Sequence, residues 1–551
     1  MDDPVGARIL KVFESLKKER ANFNELYQEV AEYIRPSRST ITIKRSKGEK
    51  RGRRVFDSTA IHAHKVLAAA IHSALTNPAS VWFRLNLSDP ALRQVTEVRK
   101  WLDDVVDVMF EVLGESNFSM EVDEAYQDIT AFGTMCLLME KKEPQIRRRG
   151  QNFAGVQFKA LSPEEYYFIE GADGLPSMVF LEVKLTADMA MKKFADRVDR
   201  LHPSIPGAIQ KGEPHKEFEF VRVFALRDNA RYVPPGRYAS PSKRPYVSYW
   251  VDKKSKMIVG EDGFYEMPVF IVRWRKSSGE EMGRGPGVDA LPDVKTLNKA
   301  KELELRALAK VIDPPLKRRH GGVVSKVRSI PGGITDVRDN ESLTPLYDTT
   351  AFRFDVSQVK AEELKLAIEK AFFIDQLQLP PVQESKTMSA TEIEVRYQQM
   401  QKILGPTLGH FKYEFLAPLI ERLFAMLLRE GQLPEPPAIL ADGGRLEIEY
   451  VSPFERSQKL SGVAATERFM DRVFTLGQLM PEILDRIDPD GLVKELHEGY
   501  SASSDILRTD EEVNQIRQQR EQIQQMQLQM EQAQVAGGVV KDVSQARKAV
   551  S

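Results

Sequence analysis

One cysteine, Cys136, stands among 551 residues, so no internal disulfide can form and the chain suits a reducing compartment. No stretch approaches the roughly 18 uninterrupted apolar residues of a membrane span, and the N-terminus lacks an apolar signal core. No glycine is followed by lysine, which removes the GxxxxGK[ST] phosphate loop and with it a Walker-type ATPase. HExxH and GxSxG are missing too, so neither a zincin nor a serine hydrolase is spelled out. Nor does one sign of charge dominate: 79 basic residues face 80 acidic ones, a formal charge of −1, so the whole chain is no polycation. With 42% hydrophobic and 29% charged residues it reads as a soluble protein, long enough for several domains.

The chain is organised around the stretch from Phe352 to Gly431. A helix is expected over about 358–379, with Leu364, Ile368, Ala371 and Phe372 on one face and Pro380 and Pro381 as its stop. Gln383 to Met388 is polar and unpatterned. Ser389 and Glu392 have capping-box spacing. Behind them Ile393, Met400, Leu404, Leu408, Phe411, Phe415, Leu419, Leu423 and Leu427 keep helical spacing up to Gly431 and Pro434. Ser389 to Glu430 would span about 63 Å, with kinks at Pro406 and Pro418. Such a helix suggests an elongated subunit of something larger.

The N-terminus predicts one amphipathic helix over Pro4–Ile34. Arg35–Arg54 then carries nine basic residues against one acid, Glu49. It reads as a phosphate-backbone contact or, more in line with charge runs generally, as a solvated loop. Helices are expected at Asp57–Leu75, Glu97–Leu113 and Phe118–Phe132, and a strand at Val81–Leu87. Gln145–Trp274 turns to short strands (157–161, 178–185, 217–226, 247–251, 269–274), an α+β block. Met282–Pro292 reads as a hinge, followed by a helix over 289–312 that Asp313-Pro314-Pro315 ends. A compact insert covers 316–354. Arg445–Val451 is a strand, Pro453–Leu507 is helical, and Ile516, Ile523 and Met530 make a heptad seam broken by Gln519.

Motifs that would carry chemistry are weak. Gly283-Arg-Gly-Pro-Gly287 has Val288 where a dinucleotide fingerprint needs its third glycine, and Pro286 sits inside the turn. His62 and His64, two apart on a helix, point to different faces. Cys136 lies in an apolar strand, poorly placed for a nucleophile. A metal-dependent nuclease built from dispersed Asp and Glu stays open, as does a coiled-coil scaffold or adaptor. The residues themselves point to a structural or assembly protein with no catalytic, cofactor-binding or metal site.

Several stretches together resemble the head-to-tail connector (portal) proteins of short-tailed, T7-like bacteriophages. These are Asp57-Ser-Thr-Ala60 through Leu67–Pro78, closing on Val81-Trp-Phe-Arg-Leu85; Ala131-Phe-Gly-Thr-Met-Cys136; Met388-Ser-Ala-Thr-Glu-Ile393; Ala417-Pro-Leu-Ile-Glu-Arg422; and Tyr450–Gln458. The resemblance implies a predominantly helical α+β multidomain portal fold. Its parts would be a wing (1–288), stem helices (289–312 and 357–379) flanking a clip (313–356), a tunnel loop (380–388), a long wing helix and strand (389–454), a crown (455–510) and a helical barrel or tail (511–551). It implies a ring, typically of twelve copies, at one capsid vertex of a virion assembled in the host cytoplasm, through which double-stranded DNA is packaged and ejected. The implied partners are the terminase large subunit, a tail adaptor, and scaffolding and major capsid proteins, with no membrane. Gln383, Glu384, Ser385, Lys386 and Thr387 would face the channel. Lys317, Arg318 and Arg319 would meet a protein partner at the clip.

Overall fold

The computed structural model describes residues 3–46, 48–79, 81–87, 89, 92, 95–142, 153–228, 230, 238–312, 316–318, 320, 326, 336–338, 343–345, 354–377, 405, 407–440, 446–449, 453–477, 482, 487–500, 506, 508 and 512–527. In chain order come helices α1 (Pro4–Glu19), α2 (Ala21–Tyr33) and α3 (Thr59–Leu75), strand β1 (Arg84–Leu87), and helices α4 (Thr96–Glu115) and α5 (Phe118–Phe132). Strands β2 (Thr134–Lys141), β3 (Val156–Leu161), β4 (Tyr166–Glu170) and β5 (Pro176–Thr186) follow, then α6 (Ala187–Lys193) and α7 (Ser204–Gln210). After β6 (Glu217–Leu226), β7 (Tyr246–Asp252), β8 (Ile258–Phe264) and β9 (Val269–Arg273) comes α8 (Pro286–Ile312). The remainder holds β10 (Leu316–Arg318), β11 (Leu343–Pro345), α9 (Phe354–Ala371), α10 (Ala417–Arg429), β12 (Leu446–Glu449), α11 (Pro453–Gly477) and α12 (Pro489–Tyr500). The fold is α+β and multidomain, as expected.

Two compact units result: Met1–Trp82, Met109–Gln432 and Ser452–Phe454 form the first, Phe83–Val108, Leu433–Val451 and Glu455–Ser551 the second. Within the first, an antiparallel five-stranded sheet runs in the order β4-β5-β6-β7-β8. Period-two alternation gives it two apolar faces. One takes Leu10, Phe13 and Leu16 of α1 against Tyr167, Phe180, Val221, Val223 and Val251. Burying Phe13, at 0% exposure, contributes about 2–3 kcal/mol. Asp3 caps α1 by accepting from the Val5 and Gly6 N–H groups, and its other oxygen takes the Ile258 N–H. The opposite face is covered at one end by α6 and α7, where Ala187, Ala190, Ile205 and Ala208, with Phe194 just past α6, pack on Phe218, Phe220 and Trp250.

A second sheet, β3-β2-β9, lies with α5, and Arg422 of α10 donates to its Met139 carbonyl. Its central strand β2 is buried along Thr134–Leu138, which suits the apolar run containing Cys136. Arginines tie the two sheets and α10 together. Arg222 bonds Glu140 at 2.7 Å and lies over Phe224 and Trp250. Arg429 grips Glu266 through both nitrogens at 2.7 and 2.8 Å, while Arg422 donates to the Glu266 carbonyl. In the second unit β1 and β12 pair antiparallel, Arg84 opposite Glu449. There the Trp101 indole N–H donates to the Pro434 carbonyl, Thr466 bonds Glu495, and Arg517 binds Asp490 at 2.8 and 2.6 Å.

The elements depart from the sequence expectations at definable points. The single N-terminal helix is two, because Arg20 leaves helical geometry (ψ 2°) to send its guanidinium to the Tyr166 and Pro163 carbonyls over the Tyr167 ring. The helix expected to run to 379 breaks at Phe373, whose φ is 57°, before a short turn at Ile374–Leu377. Of the long helix, 405 and 407–430 are described; residues 389–404 and Pro406 lie outside the described residues. The kink expected at Pro418 takes the form of a π-turn over Lys412–Leu416, where the Ala417 N–H reaches the Lys412 carbonyl. Proline there removes an N–H and would crowd the Glu414 carbonyl, and a wider turn relieves both. Of the helical stretch expected over 453–507, the described residues hold α11 and α12.

What fixes the start of α8 is a crossing of backbone on backbone. Gly133 ends α5 with φ 83°, and a Cβ there would come within 2.3 Å of Gly285 N. Cβ atoms on Gly283 and Gly287 would meet the Gly133 and Ala131 carbonyls at 2.2 and 2.3 Å. The segment read as a hinge is therefore a tight seat. It is held also by Gly283 N–H to Thr134 Oγ1 (2.8 Å), Tyr27 O–H to the Gly283 carbonyl (3.1 Å) and Trp274 N–H to the Gly133 carbonyl (2.9 Å). Gly287→Ala is expected to destabilise by at least about 2 kcal/mol in denaturant unfolding. Gly114→Ala, in α4 with nothing within 4 Å, should stay within about 1 kcal/mol of the parent.

Candidate functional site

The helices α8 and α9 and the strands between them hold two of the residues the sequence singles out, Lys317 and Arg318, both on β10. The two helices pack together, and one junction sets their relative height. Asn298, 2% exposed in the middle of α8, accepts through Oδ1 from the Phe56 and Asp57 N–H groups at 2.7 and 3.0 Å and donates to the Val294 carbonyl. Asp57 also caps Thr59 and meets Lys365 of α9 at 3.4 Å. Burial pushes the Asp57 carboxyl up, but the bonds from Thr59 and the Lys365 charge prevail and hold it below its usual value. Nothing in local periodicity marks Asn298; a polar residue within an apolar stripe was the only signal.

Along α8 the charges are tied up close to home. Lys299 bonds Glu302, Lys301 bonds Glu304, Arg306 bonds Glu302, and Lys295 reaches Glu29. Counting Lys365, five of the eight lysines and arginines on the two helices are paired. Apolar residues behave the opposite way. Leu303, Leu305, Leu308 and Ile312 of α8 and Val359 and Leu366 of α9 are exposed, Ile312 at 75%.

The expected contact residues divide. Lys317 is exposed on β10, which pairs with β11 (Lys317 opposite Thr344); Arg318 belongs to the same strand, and Arg319 lies outside the described residues. Gln383, Glu384, Ser385, Lys386 and Thr387 all lie outside the described residues. Gly283–Gly287 contacts the backbone of 131–133, so its glycines are spent on packing.

Part of the basic run Arg35–Arg54 is tied up in ion pairs and hydrogen bonds, while Lys44, Lys50 and Arg53 are exposed. Arg35 is 2% exposed and meets Asp128 at 2.7 Å and Glu124 at 2.8 Å; Arg38 meets the same two acids. Arg45 and Arg54 reach Glu32, and Arg51 donates to the Ser37 carbonyl. The sequence hid this because the acids sit on α2 and α5. Burial pushes the Asp128 carboxyl up more strongly than the two guanidinium groups pull it down.

His62 is exposed and His64 buried, so the two do face different ways. Burial first, then the charges of Arg35 and Lys65, hold the His64 imidazole down to about 3. The unfolded chain binds a proton there below about pH 6.5 and the folded chain does not. Stability therefore falls as pH drops from about 6.5 towards 3. His64→Leu is expected to remove up to one proton's worth of slope, about 1.4 kcal/mol per pH unit, from unfolding free energies measured between pH 4 and 7. An unchanged slope would contradict this account of His64.

Comparison with known proteins bears on this arrangement. The family model described as bacteriophage head to tail connecting protein matches residues 7–507. The portal protein of Salmonella phage epsilon15 is 25% identical over 546 residues, covering 98% of this chain and 95% of that one. The probable portal protein of Bordetella phage BPP-1 is 24% identical, covering 93% and 90%. Among solved structures, the virion of a native gene transfer agent particle matches with a TM-score of 0.33 at 12% identity, over 76% of this chain and 86% of that one.

Proposed function

Because the chain belongs to the bacteriophage head-to-tail connecting proteins, we propose that it is the subunit of a ring-shaped portal that passes double-stranded DNA at one capsid vertex. In this reading α8 and α9 are the stem, the insert between them the clip, and 380–388 the loop nearest the DNA. The observation that carries it is the charge state of the paired helices. A conduit must let duplex slide, and six to ten phosphate contacts would make a strong, salt-dependent grip. Pairing Lys299, Lys301 and Arg306 with acids on their own helix leaves a mixed-sign surface that does not hold phosphate.

The same reading assigns Lys386 a transient contact with DNA, flanked by Gln383, Glu384, Ser385 and Thr387. It assigns Lys317, Arg318 and Arg319 to a protein partner of the clip, the terminase large subunit during packaging and a tail adaptor afterwards. Scaffolding and major capsid proteins would surround the ring in an assembly built in the host cytoplasm. No helix among the described residues is long and apolar enough to cross a membrane.

Native mass spectrometry with negative-stain averaging tests the ring. A closed ring of about twelve copies with a hole wide enough for duplex is expected, since head-to-tail contacts that close make rings. A monomer or dimer under all conditions would overturn the reading. Lys386→Glu should lower the fraction of DNA retained after packaging while leaving the ring intact; unchanged packaging and retention would remove Lys386 from the channel.

A further inference from the structure

We propose that the exposed apolar stripes of α8 and α9 are the two halves of one head-to-tail seam, each copy's α8 lying against the α9 of the next copy. This rests on the ring reading and specifies the contact within it.

On α8, Val294 and Leu297 are buried, and the same helical stripe continues through Lys301 to Leu305, Leu308 and Ile312, which are 52%, 43% and 75% exposed. The stripe outruns its cover. On α9, Ala361, Ile368 and Phe372 form the buried stripe. Val359, Glu363, Leu366 and Lys370 form a second stripe on the opposite side, with Val359 and Leu366 58% and 56% exposed. The two exposed stripes, from Lys301 to Ile312 and from Val359 to Lys370, share one spacing of four, three and four residues. Within one copy they cannot meet, because α9 turns its other side inward.

A second copy of the chain is the occupant that fits. Asn298 and Lys365 both meet Asp57, which puts them at one height. Counting back along α9, which returns beside α8, places Glu362 level with Lys301 and Val359 level with Glu304 and Leu305. Copies related by a ring axis keep these heights, so Val359 comes opposite Leu305 of the next copy. Glu362 and Glu363, both exposed, then come opposite Lys299 and Lys301. The contact matches in apolar spacing and lets Lys299 and Lys301, which bond Glu302 and Glu304 within one copy, also face acids of the next copy; its halves differ, so it is heterologous and makes a ring where the rotation closes.

Cysteine crosslinking of the full chain tests the seam, with the native Cys136 buried and so a low background. The double variant Leu305→Cys/Val359→Cys, oxidised after assembly, is expected to give a ladder of multimers on a non-reducing gel, and each single variant none. Dimers from Leu305→Cys alone would mean a self-paired contact, and a crosslink confined to the monomer would mean that the stripes meet within one chain; either overturns the proposal. A ring by mass with no ladder removes the seam but keeps the portal reading, whereas absence of any ring fails the portal reading itself. Independently, Leu308→Asp should abolish the ring and leave a monomer with the parental unfolding profile. A full ring from that variant would also overturn the seam.

Discussion

The helix pair of the first unit is hung from a place where two backbones cross with no room for a side chain. The end of α5 at Ala131–Gly133 and the entry to α8 at Gly283–Gly287 approach so closely that a Cβ on any of Gly133, Gly283, Gly285 or Gly287 would come within 3 Å of backbone. Close-packed interiors do not yield by that much without shifting a whole element. The crossing therefore fixes the direction in which α8 leaves, and through Asn298 and Asp57 it fixes α3 and α9 as well. Four glycines convert a local steric rule into the orientation of the helix pair that the proposed function depends on.

Charge is handled with the same economy. Arg20, Arg35, Arg222, Arg273 and Arg422 are all buried, and each has carboxylate or carbonyl oxygens converging on it. Arg273 is the densest case: its backbone N–H and its guanidinium donate to Glu414, and its other nitrogens reach Glu170 and the Gly174 carbonyl. Breaking one partner of such a set leaves an uncompensated buried charge, so these pairs specify one arrangement more than they add net stability. The π-turn is part of this arrangement, since it is the turn that carries Glu414 to Arg273.

How much of this could be read from the chain follows from what each feature depends on. Helices with an apolar stripe and a stop signal, such as Phe118–Phe132 before Gly133, were legible to the residue, because periodicity and a left-handed cap are local. Strands of the middle block were legible where they alternate or run apolar; β4 and β8 were missed, and in β8 the polar and glycine residues Gly260, Glu261, Asp262 and Gly263 interrupt the apolar pattern. The break at Arg20 could not be seen, since its cause lies about 146 residues away at Tyr166. For the same reason Arg35–Arg54 looked like a free basic run: its neutralising acids are on other helices. Sequence showed that the helix–insert–helix exists, and it showed the apolar spacing on both helices. It could not show which part of the α8 stripe, or which side of α9, the fold leaves uncovered.

The sheets explain why that uncovered half matters. Strand addition is one way for one copy to extend another, and edge strands invite it. Here all four edge strands of the three- and five-stranded sheets have backbone groups taken by side chains. Asn117 and Glu121 occupy the Phe158 and Ala160 groups on β3, and Glu414 takes the Arg273 N–H on β9. Arg20 takes the Tyr166 carbonyl on β4, while Asp3, Arg200 and Arg244 take groups on β8. Each of these bonds would have to break before a foreign strand could pair, at about 1 kcal/mol or more apiece. With those edge groups occupied, α8 and α9 offer a neighbour apolar surface that is already arranged in stripes.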